Sequence, residues 1–284
     1  MTTTIESLGT FETSWCPGCG NHDIMKALRQ AIVGLGLEAH KVVHVSGIGQ
    51  AAKAPHYIRL NGFNGLPGRS LPPAQAIRLC NSELTVIAQS GDGCNYGEGG
   101  NHFLAAIRRN VDMTLLVHDN QIYGLTKGQA SPTTGEGQVT KSQPGGVTSA
   151  PFNPVAVAVA MRCGFVARSF SGNVEHLQAM IEAAVRHRGF SLVDIFSPCV
   201  SFNKVNTFGW YRQRCREIDA SHDPTDWNAA MRIADTFGDV LPIGVIYRNE
   251  RPPLDERVSH IAKGPLGRQA VRHDVLRDIM ASYM

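Results

Sequence analysis

The chain has 284 residues, of which 43% are hydrophobic, so it is long enough for one large or two small domains with a substantial core. Its 27 Lys and Arg residues nearly balance its 24 Asp and Glu residues, and the formal charge of +3 argues against a nucleic-acid-binding protein. No apolar run approaches the ~20 residues that span a bilayer, and the N-terminal segment does not resemble a secretory signal, so we expect a cytoplasmic protein outside the membrane.

The first 200 residues alternate between helix-like and strand-like apolar patterns. In chain order they predict a helix over 22–33, a strand over 41–46, a helix over 73–79, a strand over 84–90, a helix over 99–109, a strand over 111–118, helices over 154–161 and 174–188, and a strand over 191–196. This alternation predicts an α/β fold, with a mostly parallel sheet covered by helices on both faces. We expect residues 1–200 to form a ligand-binding domain and residues 201–284 to form a C-terminal extension that packs against a partner.

The first motif in chain order is Cys16-Pro-Gly-Cys19, on a glycine-rich loop before the first predicted helix. Thiolates at this spacing suit an iron–sulfur cluster, a zinc ion or a redox-active dithiol. The sequence contains no second C-x-x-C pair, which argues against a zinc ribbon. Seven cysteines, an odd number in a chain without a secretory signal, also argue against a disulfide framework.

A Gly-Asp-Gly turn at residues 91–93 follows one predicted strand, and Asn120 follows the next. Ligands of parallel sheets gather at the carboxyl ends of strands, so we expect Asp92 and Asn120 to lie close together. Their oxygens, with the backbone carbonyl of Ile122, suit a magnesium ion that also binds phosphate oxygens. The flanking glycines permit a close approach to a ligand, and a helix beginning near Gly99 would direct its N–H groups at the anion. The pattern therefore predicts a site for magnesium and a diphosphate.

A segment rich in Gly, Ser, Thr and Pro covers residues 126–153. It is long for a loop inside a compact domain, and loops of this length often act as lids or binding loops. We therefore expect the segment to be functional.

The residues around these motifs resemble the β subunit of the 2-oxoacid:ferredoxin oxidoreductases. The resemblance is collinear over about residues 14–210, and its motifs are WCPGCGNH (15–22), SGIGQAAKAPHY (46–57), LPGR (66–69), the Gly-Asp-Gly to Asn120 stretch, and SPCVSFNK (197–204). It implies a domain over residues 1–200 that binds thiamine diphosphate. It also implies the oxidative decarboxylation of a 2-oxo acid, with CoA as the acyl acceptor and ferredoxin as the electron acceptor.

The resemblance implies particular roles for residues of this chain. Asp92, Asn120 and the Ile122 carbonyl would hold magnesium. Lys53 would lie near the substrate carboxylate, and Lys127 would suit the distal carboxylate of a dicarboxylate, which favours 2-oxoglutarate over pyruvate. The residues implied to line the cofactor are Gly47, Ile48, Gly49, Gln50, Ala51, Gly91, Asp92, Gly93, Asn120, Gly124 and Leu125.

The family's catalytic arrangement also implies a partner. No catalytic base is expected from this chain, because the glutamate that activates the cofactor should come from an α subunit. We therefore expect the chain to be inactive alone and to work in an αβ or (αβ)2 assembly.

The same resemblance implies a [4Fe-4S] cluster held by four cysteines. Three of these positions match Cys16, Cys19 and Cys199, but the fourth is Gln50. Either Gln50 is a non-cysteine ligand, or Cys94 completes the set, or the cluster is lost or labile.

Three departures from the family pattern leave other functions open. They are Gln50, Pro67 in place of a histidine, and Cys94 in place of an acidic residue. One alternative is a cluster-free, thiamine-dependent decarboxylase or ligase subunit. The other is a non-catalytic regulatory subunit that kept the fold.

Overall fold

A mixed but mostly parallel sheet runs through the computed structural model, which describes residues 2–270 and 272–284. Its strands are β1 Val42–Ser46, β2 Asn61–Asn64, β3 Thr85–Gly91, β4 Met113–Asp119, β5 Phe165–Phe170, β6 Phe190–Phe196, β7 Cys215–Glu217 and β8 Leu241–Arg248. The strand order is β2-β1-β3-β4-β6-β5-β8-β7, and only the pairing of β5 with β8 is antiparallel. The predicted α/β fold is confirmed.

Helices cover both faces of this sheet. They are α1 Gly20–Gly34, α2 Leu71–Cys80, α3 Gly100–Arg109, α4 Pro154–Ala160, α5 Val174–Arg186, α6 Phe208–Arg214, α7 Trp227–Asp235, α8 Leu254–Arg257 and α9 His273–Ala281. Helices α1 and α5 pack on one face, whereas α2, α3, α4 and α7 contribute to the core on the other. No helix in residues 2–270 and 272–284 is long and apolar enough to cross a membrane.

Successive residues of the central strands supply both cores. Val42 and Ile87 face α1 and α5, while their chain neighbours Val43 and Val86 face α2 and α3. A strand buried on both sides must be apolar at nearly every position, because its side chains alternate between the faces. This explains why the short apolar runs of β1, β3, β4 and β6 could be predicted as strands.

Four strands were missed by the pattern. Strand β2 is exposed along its length and has no apolar signal. Strand β5 is fully buried, yet its sequence FVARSF includes the charged Arg168, which is 1% exposed. Strands β7 and β8 come from residues 201–284 and extend the same sheet through the β5–β8 pairing.

The C-terminal helix α9 has no buried residue. Its apolar side chains Leu276 and Ile279 are 52% and 51% exposed. Packing of residues 201–284 against a partner stays a prediction, and this uncovered face is the part of the segment suited to it.

One layer under α1 is polar rather than apolar. His44, Gln89 and His118 lie on three neighbouring strands and point to the same face as Val42 and Ile87. All three side chains are buried, and burial lowers the pKa of His44 to about 4 and the pKa of His118 to about 3. The fold therefore holds both imidazoles in the neutral form.

We expect these two histidines to make the protein less stable in acid. Their folded-state pKa values lie below the ordinary value of 6.5, so the unfolded chain binds more protons and the free energy of unfolding falls as the pH drops from 6.5 towards 4. The slope is about 1.4 kcal/mol per pH unit for each histidine. Thermal unfolding of the purified protein between pH 7 and 4.5 measures how stability changes with pH.

His44→Leu should flatten this pH dependence, whereas a matched change at the exposed His260 should not. An unchanged slope in His44→Leu would contradict the assignment.

Candidate functional site

Four neighbouring strands of the sheet end at one edge, and each is followed by predicted site residues. Strand β1 leads into Gly47 and Gln50, β3 into Asp92, β4 into Asn120, and β6 into Cys199. Because β1, β3, β4 and β6 are adjacent and parallel, their carboxyl ends bring these loops together.

A cavity of about 140 Å³ lies at this edge. All of the predicted cofactor-lining residues border it except Gly47, and Ile122 borders it as well. Gly47 stands behind the wall, where a Cβ atom would come within 2.4 Å of the Cys94 sulfur. The remaining lining residues are Pro67, Cys94, Glu98, Tyr123 and Thr126.

Asp92 is held by hydroxyl groups from the long loop. Its Oδ2 atom accepts hydrogen bonds from Ser131 Oγ at 2.5 Å and Thr133 Oγ1 at 2.7 Å. Thr133 Oγ1 also lies 2.8 Å from Asp119 Oδ1. A hydroxyl has one proton, so Thr133 can donate a full hydrogen bond to only one of the two carboxyl groups at a time.

The buried carboxyl groups around Asp92 lack enough positive charge to balance them. Burial raises the pKa of Asp92 to about 6. Burial also raises the pKa of Asp119 well above its usual range, and the nearby carboxylates of Asp194 and Asp92 raise it further. Arg168 is the buried cation beside them, with its Nε atom 3.9 Å from Asp194. Buried carboxylates that outnumber their cation fit a divalent metal ion, which removes the need for protonation.

Asn120 and Ile122 are fixed by a tight turn. Asn120 Oδ1 accepts a hydrogen bond from the Ile122 N–H at 3.0 Å, and its backbone carbonyl accepts one from Asn203 at 3.1 Å. Gln121 between them has φ 57°, a left-handed conformation that is costly for a residue with a Cβ atom. The strained turn keeps Asn120 and Ile122 on the cavity wall.

The chain after Asp92 begins with a wide helical turn. Residues Gly93–Glu98 form one turn of π-helix, and α3 starts only at Gly100. The predicted helix beginning near Gly99 is confirmed as α3, and the π-helical turn places additional N–H groups next to Asp92. A Cβ atom at Gly93 would come within 2.3 Å of the Tyr123 ring, so this turn and Tyr123 pack without room for a side chain.

A second, smaller cavity of about 30 Å³ is lined by three of the cysteines. Cys16, Cys19 and Cys199 line it together with Gln50. The Oε1 atom of Gln50 is buried and has no hydrogen-bond partner in residues 2–270 and 272–284. Cys94 lines the first cavity instead, where its sulfur accepts the Gly68 N–H at 3.3 Å.

The thiol of Cys19 is poorly suited to carry charge by itself. Burial, and to a smaller extent Cys199 and Cys16, raises the pKa of Cys19 to about 11. Within the described part of the chain, no three His, Cys, Asp or Glu side chains converge on a single metal ion. Thiolates of a four-iron cluster bind different irons and lie farther apart, so the donor set of three thiols and one unpartnered carbonyl fits such a cluster.

The two cavities share a thin wall. Gln50, Asn120 and Gly124 line both of them. A Cβ atom at Gly124 would lie 3.9 Å from the Cys199 sulfur and 3.9 Å from Cγ of Gln50. The cysteine site and the Asp92 site therefore form one continuous unit.

The two predicted substrate lysines lie outside these cavities. Lys53 donates a hydrogen bond to Ser14 Oγ at 2.9 Å. Lys127 is exposed, one residue beyond Thr126 on the rim, and its φ of 76° is again left-handed.

Sequence reasoning missed the residues that support the metal site. Ser131 and Thr133 bind Asp92, and Tyr123 packs on Gly93. The available signal was the long polar loop, which was expected to be functional, but its composition does not say which hydroxyl reaches which carboxylate.

Comparisons with known proteins agree with this geometry. Residues 40–195 match the family described as "Thiamine pyrophosphate enzyme, C-terminal TPP binding domain", and residues 199–263 match the family of the C-terminal region of the pyruvate ferredoxin oxidoreductase beta subunit. The chain is 43% identical over 258 residues to the 2-oxoacid:ferredoxin oxidoreductase subunit beta of Sulfolobus sp, covering 86% of this chain and 85% of that protein.

Two further similarities concern proteins named for 2-oxoglutarate. The chain is 42% identical over 192 residues to the 2-oxoglutarate oxidoreductase subunit KorB of Mycobacterium tuberculosis, covering 68% of this chain and 52% of that protein. The structure of 2-oxoglutarate:ferredoxin oxidoreductase from Magnetococcus marinus, with 2-oxoglutarate, coenzyme A and succinyl-CoA bound, superposes with a TM-score of 0.91 at 33% identity. That match covers 98% of this chain and 95% of the other.

We expect Gly93→Ala to destabilise the protein by about 1–3 kcal/mol, because the added methyl group overlaps the Tyr123 ring. Thermal unfolding measures the change. Gly100→Ala is the matched control, since a Cβ atom there meets nothing within 4 Å. Combining Gly93→Ala with Tyr123→Ala should recover part of the loss, and strict additivity of the two changes would contradict the packing described.

Proposed function

This chain belongs to the β subunits of the 2-oxoacid:ferredoxin oxidoreductases, and on that basis we propose that it works with an α subunit in the CoA-dependent oxidative decarboxylation of a 2-oxo acid. The electrons pass to ferredoxin. The supporting observation is the cavity at the ends of β3 and β4, which lies inside the segment that matches a thiamine pyrophosphate-binding domain.

Thiamine diphosphate is proposed to occupy that cavity, with magnesium bound by Asp92, Asn120 and the Ile122 carbonyl. The excess of buried carboxyl groups supports a cation there, and the absence of side chains at Gly91 and Gly93 supports close approach of a diphosphate. When bound, the cofactor stabilises the carbanion that decarboxylation requires. The residues of this chain orient it and exclude water, while the activating glutamate is expected from the α subunit in an αβ or (αβ)2 assembly.

The cysteine cavity is proposed to hold a [4Fe-4S] cluster. Cys16, Cys19 and Cys199 supply thiolates, and Gln50 supplies the fourth position. Two observations support Gln50 over Cys94: among the described residues its buried Oε1 atom has no hydrogen-bond partner beside the thiols, whereas Cys94 faces the other cavity. The exposed Cys16 then gives ferredoxin access from the surface.

The favoured substrate is 2-oxoglutarate, followed by pyruvate. The similar proteins from Mycobacterium tuberculosis and Magnetococcus marinus are named for 2-oxoglutarate. Lys127, which follows Thr126 on the cavity rim, is proposed to meet a distal carboxylate, and Lys53 is proposed to act near the proximal one in the assembled pocket.

A second candidate is a cluster-free thiamine-dependent decarboxylase or ligase subunit. The presence of Gln50 where the family has a cysteine favours it. Iron and sulfide analysis of the anaerobically purified αβ complex separates the two functions, since the first requires a cluster and the second requires its absence.

Asp92→Ala in the αβ complex should abolish magnesium-dependent binding of thiamine diphosphate. Loss of a metal ligand should reduce viologen reduction by more than about 100-fold, which exceeds the usual effect of removing a group that only supports a ligand. Calorimetry and the reduction of methyl viologen with 2-oxo acids test this, with the exposed Asp219→Ala as control. Normal thiamine binding by an intact Asp92→Ala complex would rule out the assignment.

Lys127→Gly should lower kcat/KM for 2-oxoglutarate by about tenfold or more and affect pyruvate less, because only the dicarboxylate loses a charge partner. Glycine accepts the φ of 76°, so the turn should persist. Steady-state kinetics with both substrates measure the change, with Lys141→Ala in the same loop as control. Equal losses for both substrates would refute a role in specificity.

A further inference from the structure

We propose that the Asn21 side chain donates a hydrogen bond to a sulfur atom of the iron–sulfur group in the cysteine cavity, and that a buried chain of His118, Gln89 and His44 fixes its orientation. This inference rests on the cluster proposed above. In this inference Asn21 tunes the reduction potential of the cluster. His118, Gln89 and His44 are positioning residues that act through Asn21.

The polar layer under α1 forms a continuous chain of hydrogen bonds. His44 Nε2 lies 2.7 Å from Gln89 Oε1, and Gln89 Nε2 lies 2.6 Å from His118 Nε2. His118 Nδ1 lies 2.7 Å from Asn21 Oδ1. The four side chains are at most 2% exposed, so the chain runs from the centre of the sheet to the N-terminus of α1 without meeting water.

The direction of the protons follows from the single amide of Gln89. Its nitrogen donates to His118 Nε2, which must therefore be unprotonated, and its oxygen accepts from His44 Nε2. The remaining proton of His118 sits on Nδ1 and is donated to Asn21.

The side-chain NH2 group of Asn21 therefore remains available as a donor. Its oxygen is taken by His118, so its NH2 group points away from that contact, and Asn21 lines the cysteine cavity. The contact with His118 uses the amide oxygen, so it leaves the NH2 group available to a ligand in that cavity. The backbone N–H of Asn21 lies close enough to the neighbouring thiol of Cys19 to favour its charged form and so oppose the effect of burial on its pKa.

This arrangement suits an anionic sulfur that gains negative charge on reduction. Hydrogen bonds to cluster sulfurs stabilise the reduced form and raise the reduction potential. A neutral chain of donors achieves this without burying a cation, which would cost far more free energy. The four residues thus act as a fixed dipole directed at the site of electron transfer.

Asn21→Leu in the anaerobically purified αβ complex tests the hydrogen bond. Leucine keeps the branched shape but removes the donor, so the reduced state should become about tenfold less favourable, a negative shift of about 59 mV for a one-electron couple. Redox titration followed by EPR measures the midpoint potential. In complex labelled with asparagine that carries 15N only in its side-chain amide, pulsed EPR of the reduced cluster should show a nitrogen coupling that disappears in Asn21→Leu.

His118→Leu should shift the potential in the same direction by a smaller amount, because Asn21 loses only its fixed orientation. His176→Leu is the matched control, since His176 binds Ser169 and does not line the cavity. If Asn21→Leu does not assemble, Asn21→Asp keeps the shape and the acceptor, removes the donor, and is expected to lower the potential and remove the nitrogen coupling.

The outcomes separate this inference from the proposed function. Iron and sulfide retained in the Asn21 variant, with an unchanged potential and nitrogen coupling, would overturn the role of Asn21 alone. A wild-type complex without iron and sulfide would overturn the cluster and this inference together. A negative shift with loss of the coupling supports both.

Discussion

The site depends on one constraint: adjacent parallel strands must end at the same edge of a sheet. Strands β1, β3, β4 and β6 are neighbours in space, although they are spread over more than half of the chain. Their carboxyl ends therefore bring a glycine loop, a carboxylate, an amide and a thiol to one edge. The helices on both faces stabilise the sheet and leave this edge accessible.

The electrostatics of the edge follow from that convergence. Asp92, Asp119 and Asp194 are buried together with Arg168, so the local charge is balanced only if protons or a metal ion are added. Hydroxyl groups from the long loop after β4 stabilise Asp92 without bringing charge. The same edge thus favours a cation beside the first cavity, while the thiols border the second.

Much of this arrangement could be predicted from the sequence, because it depends on local patterns. Apolar strands followed by Gly91–Gly93 and Asn120 predicted both the fold and the meeting of Asp92 with Asn120. Strand β5 escaped prediction because the buried charge of Arg168 is balanced by residues from other strands, first of all Asp194. The hydrogen bond of Ser131 to Asp92 and that of Lys53 to Ser14 likewise join segments that are far apart in sequence, and no local pattern encodes them.

Gly124 sets the thickness of the partition between the two cavities. It has no side chain, and the Cys199 sulfur lies close behind it. In the proposed arrangement an electron tunnels across this partition, and tunnelling rates fall steeply as intervening atoms lengthen the gap. A glycine at this position would therefore keep the barrier as thin as a polypeptide backbone allows, while still separating the proposed thiamine diphosphate pocket from the proposed cluster.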